Sequence, residues 1–319
     1  MTEQAVAFRR QAEHCERQGS ALYADLCRRL ADDVRVPPIV GEAGWDVPLR
    51  LLGGLHALVL TDEAEWERLD EALAHPRLPQ LARRAVQTNE VQRSWTLAPC
   101  LREVARRIDA ETVDLLELGA SAGLNLLLDR YRHRYAAGSW GPADALLELE
   151  GEERRSVPAE LLDVGLRVRR RVGVDRDPVD VTTDEGALRL RSFVWPGQEG
   201  RLERLDRAIA ALRRDPPELV RADLADSLPH LLAARSREVP LLVFMTGVLG
   251  YLEQDAWERV QAALDAAGGR DAPLAFVWSG RPGDDVHTHW GLWLRLWPRA
   301  EPELLAEADY HGAWLAWRA

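Results

Sequence analysis

From Val113 onward, short apolar runs alternate with amphipathic stretches, and this alternation restricts the possible folds more than any other property of the chain. The runs Val113–Leu118, Arg167–Val174, Leu219–Ala222, Leu241–Thr246 and Leu274–Ser279 have strand length, and the most apolar of them suit burial on both faces of a sheet. Helical spacing marks the segments between them: Ser121–Tyr135 as one helix, Gln198–Arg213 through Leu202, Leu205, Ile209 and Leu212, and Ala256–Ala266 through Trp257, Val260 and Leu264. Strand, helix and strand in succession build a parallel sheet covered on both sides, so the expected class is α/β. Ala145–Leu149 predicts an extra strand within an insertion. Gly291–Trp297 and Glu303–Asp309 predict two more, although Trp290, Trp293 and Trp297 also fit one face of a helix.

The chain before this region reads as helices. Ala5, Phe8, Ala12 and Cys15 fall at helical spacing, and Ser20 is a plausible N-cap for a helix through Leu22, Leu26, Leu30 and Val34 that Pro37 and Pro38 should stop. Further helices are predicted over Val47–Leu60, Asp62–His75 and Asn89–Ile108, with Pro99 kinking or restarting the last. The expected organisation is a helical amino-terminal cap over 1–110 followed by the α/β domain over 111–319.

Composition excludes several chemistries. None of the 41 basic residues is Lys, so neither a Walker phosphate loop nor a pyridoxal Schiff base can be built. The net charge of −11 opposes approach to a phosphate backbone, which argues against nucleic acid as a partner. Cys15, Cys27 and Cys100 lack the spacing of a zinc site or a disulfide framework, which suits a reducing compartment. The charged stretch Met1–Gln18 and the absence of long apolar runs predict neither secretion nor membrane insertion, and cytoplasmic location is the expectation.

The segment Val113–Tyr131, VDLLELGASAGLNLLLDRY, carries the most chemistry. A strand ending in Glu117 runs into the small-residue turn Gly119-Ala120-Ser121-Ala122-Gly123, and a helix opens directly. Such a turn brings backbone N–H groups and a helix N-terminus close to a ligand, so it predicts a cradle for a carboxylate or phosphate. A dinucleotide fingerprint needs three glycines, and Ser121 stands where a middle one would sit. Glu117 ahead of the turn instead resembles the first motif of class I S-adenosylmethionine-dependent methyltransferases. The plain alternative is a tight strand–helix junction without a ligand.

That resemblance implies further acids at strand ends. Asp175 stands where such folds hold a ribose, although it follows Gly119 by 56 positions rather than about 20, so an insertion is implied; Glu148 and Glu150 compete for the role. Asp223 resembles the acid that meets an adenine amino group, while Asp226 is a candidate cap of the following helix. Thr246 to Tyr251 should floor the reaction site, since ligands bind beyond the carboxyl ends of parallel strands.

Taken together, ELGASAGLNLLLDRY, GVDRDPVDVT, LRSFVWPGQ, VLGYL, HGAWLAW and NEVQRS resemble an uncharacterised actinobacterial family, domain of unknown function 2332, over nearly the whole chain. The family resemblance implies a Rossmann-like class I methyltransferase sheet with an all-helical amino-terminal region and carries no reaction of its own; S-adenosylmethionine as cofactor and methyl transfer to a small molecule or peptide are what the resemblance to the methyltransferase first motif implies. Glu117, Gly119, Ala120, Ser121, Gly123, Asp175, Asp223 and Thr246 are the cofactor candidates; Tyr251, Asn89, Arg93 and His311 are the pocket or catalytic candidates. No metal is expected, because the HxH of His287 and His289, even with His311, lacks a ligand set. No membrane partner is expected, and a homodimer is left open.

Other readings remain. Asn89 and Arg93 would share a helix face beside Glu90, as either a pocket wall or a solvated charged surface. Trp195, Pro196 and Gln198 either line the site or start a helix. Gly119–Gly123 also satisfies the G-x-S-x-G elbow of a serine hydrolase, for which Asp284 and His311 could serve as partners. A cofactor-binding scaffold without catalysis is the third reading. The six Trp residues between Trp278 and Trp317 fit core packing or an aromatic substrate wall.

Overall fold

The computed structural model describes residues 2–41, 44–269, 272–280 and 289–319, with backbone only at 289, 299 and 300. The chain divides into two compact units, 1–88 with 179–205, and 89–178 with 206–319. This division differs from the expected boundary at 110, because the helix Arg93–Ile108 belongs with the sheet.

The first unit is helical. Thr2 caps the helix Glu3–Arg17 by accepting from Ala5 N at 3.2 Å, and that helix buries Ala5, Phe8, Ala12 and Cys15. The next helix, Ala21–Leu30, ends before the prolines, and Pro37 and Pro38 instead sit in the first turn of a short helix, Val36–Val40, where a missing N–H costs nothing. Val47–Leu60 is helical as expected, whereas Asp62–His75 forms only a 3-10 turn, Trp66–Arg68, and the short helix Leu69–Leu73. Residues 179–205 add the helix Asp184–Arg191 and Trp195, whose ring meets His14 at 5.7 Å and Tyr23 at 5.8 Å. Trp195 therefore belongs to the core of this unit.

The second unit is built on a nine-stranded sheet. In chain order the strands are β1 (Thr112–Leu118), β2 (Arg132–Tyr135), β3 (Gly138–Trp140), β4 (Glu148–Glu150), β5 (Glu152–Arg155), β6 (Arg167–Asp175), β7 (Glu218–Arg221), β8 (Leu241–Met245), β9 (Leu274–Ser279), β10 (His289–Leu296), β11 (Arg299–Asp309) and β12 (Trp314–Trp317). The sheet order is β5-β12-β11-β10-β9-β8-β1-β6-β7, and β3-β2-β4 form a separate small sheet. The neighbours from β7 through β6, β1 and β8 to β9 are parallel, while β10, β11 and β12 add an antiparallel meander. Counted along the chain, the parallel strands lie in the order 3-2-1-4-5, so the direction of winding reverses between β1 and β8.

Period-two alternation explains how both faces are covered. Leu116, Leu118, Val174, Val243, Met245, Phe276 and Trp278 join the helices Leu224–Ala233 and Gln254–Ala267 in one apolar cluster. The alternate set, including Leu115, Glu117, Leu242, Phe244 and Val277, is buried on the opposite face. Full burial of each aliphatic side chain stabilises by about 1.5–3 kcal/mol, so both faces contribute to the fold. Trp278, Trp290, Trp297 and Trp317 are likewise buried as packing residues.

Two helices depart from expectation. Leu124–Arg130 is a 3-10 run, and Arg132–Tyr135 leaves it as β2, because those residues pair with β3 and β4 rather than continue the turn. Helix Arg93–Ile108 runs through Pro99 without interruption and begins only at Arg93. The segment between β1 and β6 contains β2 to β5, which accounts for the long separation of Gly119 from Asp175. Among the described residues no helix is long and apolar enough to cross a membrane.

Candidate functional site

The turn after β1 is tight because three of its five residues take positive φ: Gly119 at 75°, Ser121 at 53° and Gly123 at 77°. It is stitched to the end of β6. Gly119 N and Ala120 N donate to Val174 O at 2.8 and 3.1 Å, and Ser121 N donates to Asp175 Oδ2 at 2.8 Å. Gly123 N reaches Ala120 O, and Leu124 N reaches Asn89 Oδ1 at 3.2 Å. These backbone donors are thus spent within the protein, and the expected open N–H cradle is not formed. The role foreseen for Gly119 also changes: a Cβ there would stand 2.3 Å from Val248 Cγ2, so the close approach it permits is to the loop after β8.

Side chains form a different site at the same place. Glu117, at the end of β1, is 2% exposed, and its Oε2 has no hydrogen-bond partner among the described residues. Burial pushes its carboxyl well above the usual range; Asp175 adds to this, while a hydrogen bond from Asn125 and the charge of Arg93 oppose it. Asn125 is oriented in turn by Ser94, whose Oγ donates to Asn125 Oδ1 at 2.8 Å. Arg93 lies against the end of β8, since a Cβ on Gly247 would stand 2.5 Å from its Nη1. Its Nε donates to Tyr310 O at 3.0 Å, and its guanidinium carbon lies 5.0 and 4.8 Å from the ring centres of Trp290 and Tyr310. Arg93 Nη2, Ser121 Oγ and Thr246 Oγ1 are buried without hydrogen-bond partners among the described residues. Four polar atoms in this state converge where β1 and β8 end.

Asn89 and Glu90 precede the helix that starts at Arg93, so the expected shared helix face does not exist. Nor is this a solvated surface: Glu90 and Arg93 are 3% and 6% exposed. Glu90 Oε1 accepts from Gln92 N, and its Oε2 lies 3.7 Å from His311 Nδ1. Asp175 sits at the end of β6, where its two oxygens accept from Ser121 N and Asp177 N. Asp223, rather than Asp226, caps the helix Leu224–Ala233; its other oxygen takes Arg176 Nη2 at 2.5 Å. Burial works against its charge, but Arg176 and the capped N–H groups hold its carboxyl below the ordinary range. Tyr251 lies half exposed on the 3-10 turn Leu249–Tyr251.

Glu148 and Glu150 are exposed on β4 of the small sheet, where their carboxylates face Arg132 and Arg134. His287, Asp284 and the side chain of His289 lie outside the described residues. No imidazole among the described residues bonds Ser121 Oγ, and no group of three or more His, Cys, Asp or Glu is arranged to hold a metal ion. Asn125, Ser94 and Tyr310 were not singled out from the sequence, and Trp290 was noted only as one of six tryptophans that fit core packing or an aromatic wall. Asn125 lies within the glycine-rich motif and Tyr310 adjoins His311, but no local pattern says whom they meet.

A model of the family described as "Uncharacterized protein conserved in bacteria (DUF2332)" matches residues 5–317. Among solved structures, a protein from Thermobifida fusca YX described as a "putative methyltransferase" is 19% identical, with 74% of this chain and 68% of that one covered, at a TM-score of 0.30. That TM-score is too low for the likeness to bear on this chain's fold or chemistry. No curated protein matches the chain.

Proposed function

This chain belongs to DUF2332, a family of uncharacterised proteins conserved in bacteria, and for it we propose S-adenosylmethionine-dependent methyl transfer to a small molecule or peptide. The observation that carries the proposal is the gathering of Glu117 Oε2, Arg93 Nη2, Ser121 Oγ and Thr246 Oγ1, buried and without hydrogen-bond partners among the described residues, where the winding of the sheet reverses. Buried polar atoms in folded proteins almost always have partners, and a ligand is the plainest source of them at such a position.

The donor and acceptor set suits this cofactor. Arg93 would pair with the α-carboxylate of its amino-acid end, and Glu117, protonated in the free protein, would give up its proton on binding and accept from the α-ammonium, so each charge of the ligand would meet its opposite. Asp175 has already oriented Ser121 N, and the remaining lone pairs of its carboxylate would accept from ribose hydroxyls. The bound group would supply an electrophilic methyl on a sulfonium. The chain's own contribution is to bind, orient and exclude water at the strand ends.

Calorimetric titration with S-adenosylhomocysteine tests the reading. Expected are measurable heat, a raised thermal midpoint, and weaker binding in both Glu117→Gln and Arg93→Gln. Absence of heat and of a thermal shift at about millimolar ligand, where even weak sites fill, would remove the assignment. Binding without transfer to any acceptor would identify a scaffold that has kept the cofactor site alone.

A further inference from the structure

We propose that Ser94 and Asn125 are the positioning residues of this cofactor site: they hold Glu117 by Oε1, so that its proton resides on Oε2 and is the one released to solvent when the α-ammonium of the cofactor arrives. The assignment rests on the methyl-transfer reading. Ser94, Asn125 and Glu117 are 0%, 2% and 2% exposed. Ser94 Oγ donates to Asn125 Oδ1 at 2.8 Å, which leaves the amide NH2 of Asn125 for its second partner, the Glu117 carboxyl. Glu117 Oε2 has no hydrogen-bond partner among the described residues, so the oxygen that accepts from Asn125 is Oε1. The carbonyl oxygen of a neutral carboxylic acid is its better acceptor, and the proton is therefore left on Oε2.

Both ends of this relay are anchored. Asn125 belongs to the 3-10 run Leu124–Arg130, whose first residue is gripped twice: Leu124 N donates to Asn89 Oδ1 at 3.2 Å, and Leu124 O accepts from the Tyr131 hydroxyl at 2.7 Å. Ser94 follows Arg93 in the first turn of the helix Arg93–Ile108, and its N donates to Val91 O at 3.0 Å. One helix start thus supplies the guanidinium for the α-carboxylate and, through Asn125, the orientation of the carboxyl for the α-ammonium. Among the described residues, the charged or titratable groups that act on Glu117 are Asp175, Arg93 and Tyr131, while the strands paired beside it present Gly173 and Phe244. Burial and Asp175 favour the neutral acid, whereas Asn125 and Arg93 favour the carboxylate. An arriving ammonium adds to the second side, and the proton leaves.

Infrared spectroscopy of the free full chain and calorimetry of the complex test separate parts of the proposal. Near neutral pH and without ligand, the carbonyl band of a protonated buried carboxyl should be present in the wild type and missing in Glu117→Gln. The pH at which it disappears should rise by about one unit in Asn125→Leu and by less in Ser94→Ala, with Ser94→Thr close to wild type. An unchanged midpoint in either folded variant overturns the positioning role. Calorimetry with S-adenosylhomocysteine in buffers of different ionisation enthalpy should show about one proton released per ligand bound by the wild type, and that proton should be missing in Glu117→Gln; binding to the wild type without release overturns the proposal. Ser94→Ala and Asn125→Leu should each bind up to about tenfold more weakly, and neither should add a further loss in a Glu117→Gln background. A loss that persists there would make the two residues structural. If S-adenosylhomocysteine does not bind at all, the methyl-transfer reading falls, while the band in the free protein still decides whether Ser94 and Asn125 orient Glu117.

Discussion

At position 119 the backbone and a neighbouring side chain both demand glycine. Gly119 combines a φ of 75° with a projected Cβ only 2.3 Å from Val248 Cγ2. Gly119→Ala should cost about 1–3 kcal/mol in urea unfolding, part from the left-handed backbone and part from the collision. In a Val248→Ala background the second part should vanish and the first remain, so the two substitutions should not add. Ser121 is the opposite case, because its φ of 53° suits glycine and its hydroxyl is buried without a hydrogen-bond partner among the described residues. Ser121→Gly should leave stability unchanged or raise it by up to about 1 kcal/mol, and should weaken S-adenosylhomocysteine by no more than about tenfold, the worth of one hydrogen bond. If the same variant kept the cofactor but lost an ester-cleaving activity of the purified protein, Ser121 would be a nucleophile and the hydrolase reading would replace methyl transfer.

At the scale of elements, junctions decide what strands and helices present to the site. Asp223 ends the loop after β7 and accepts from Ala225 N and Asp226 N at 2.9 and 3.1 Å, so it opens the helix Leu224–Ala233. Asp223→Ala should cost about 1 kcal/mol, and Asp223→Asn much less, because Asn caps equally well; thermal unfolding of both variants distinguishes the cap from the more exposed Arg176 pair. If Asp223 also meets the cofactor, the Asn variant should be as stable as wild type yet bind S-adenosylhomocysteine more weakly. β8 and β9 were readable because their apolar runs are continuous. By contrast, RHRY, GSW and EERR of β2, β3 and β5 have no such run, and only pairing with distant partners makes them strands.

At the scale of the whole molecule, stability should depend on pH through two buried groups acting in opposite directions. Burial pushes His133 down to about 4, with its ring bonded to Leu128 O and Arg102 further opposing its charge. The unfolded chain therefore takes up the proton first, and up to about 3 kcal/mol of stability should be lost as pH falls from about 6.5 to about 4. Glu117 is raised by burial, so the folded protein keeps a proton that the unfolded chain releases. Its contribution is complete below the ordinary glutamate value of about 4.3 and is lost as pH rises above it. Urea unfolding across pH should show both limbs: His133→Gln should flatten the acid one, and Glu117→Gln should remove the loss on the alkaline side and stabilise the free protein near neutrality.

Periodicity and strand length are local properties, so the order of residues was enough to predict five strands, separated largely by helices, in a parallel sheet with Glu117, Asp175 and Thr246 at its carboxyl ends. Long-range contacts, by contrast, spend the N–H groups of Gly119, Ala120 and Ser121 on Val174 and Asp175, fill the space beside Gly119 with Val248, and bury Glu90 and Arg93 against the Tyr310–His311 turn. Those outcomes depend on which distant groups meet, and a hydrogen bond or buried charge takes its partner from the fold rather than from its neighbours in the chain.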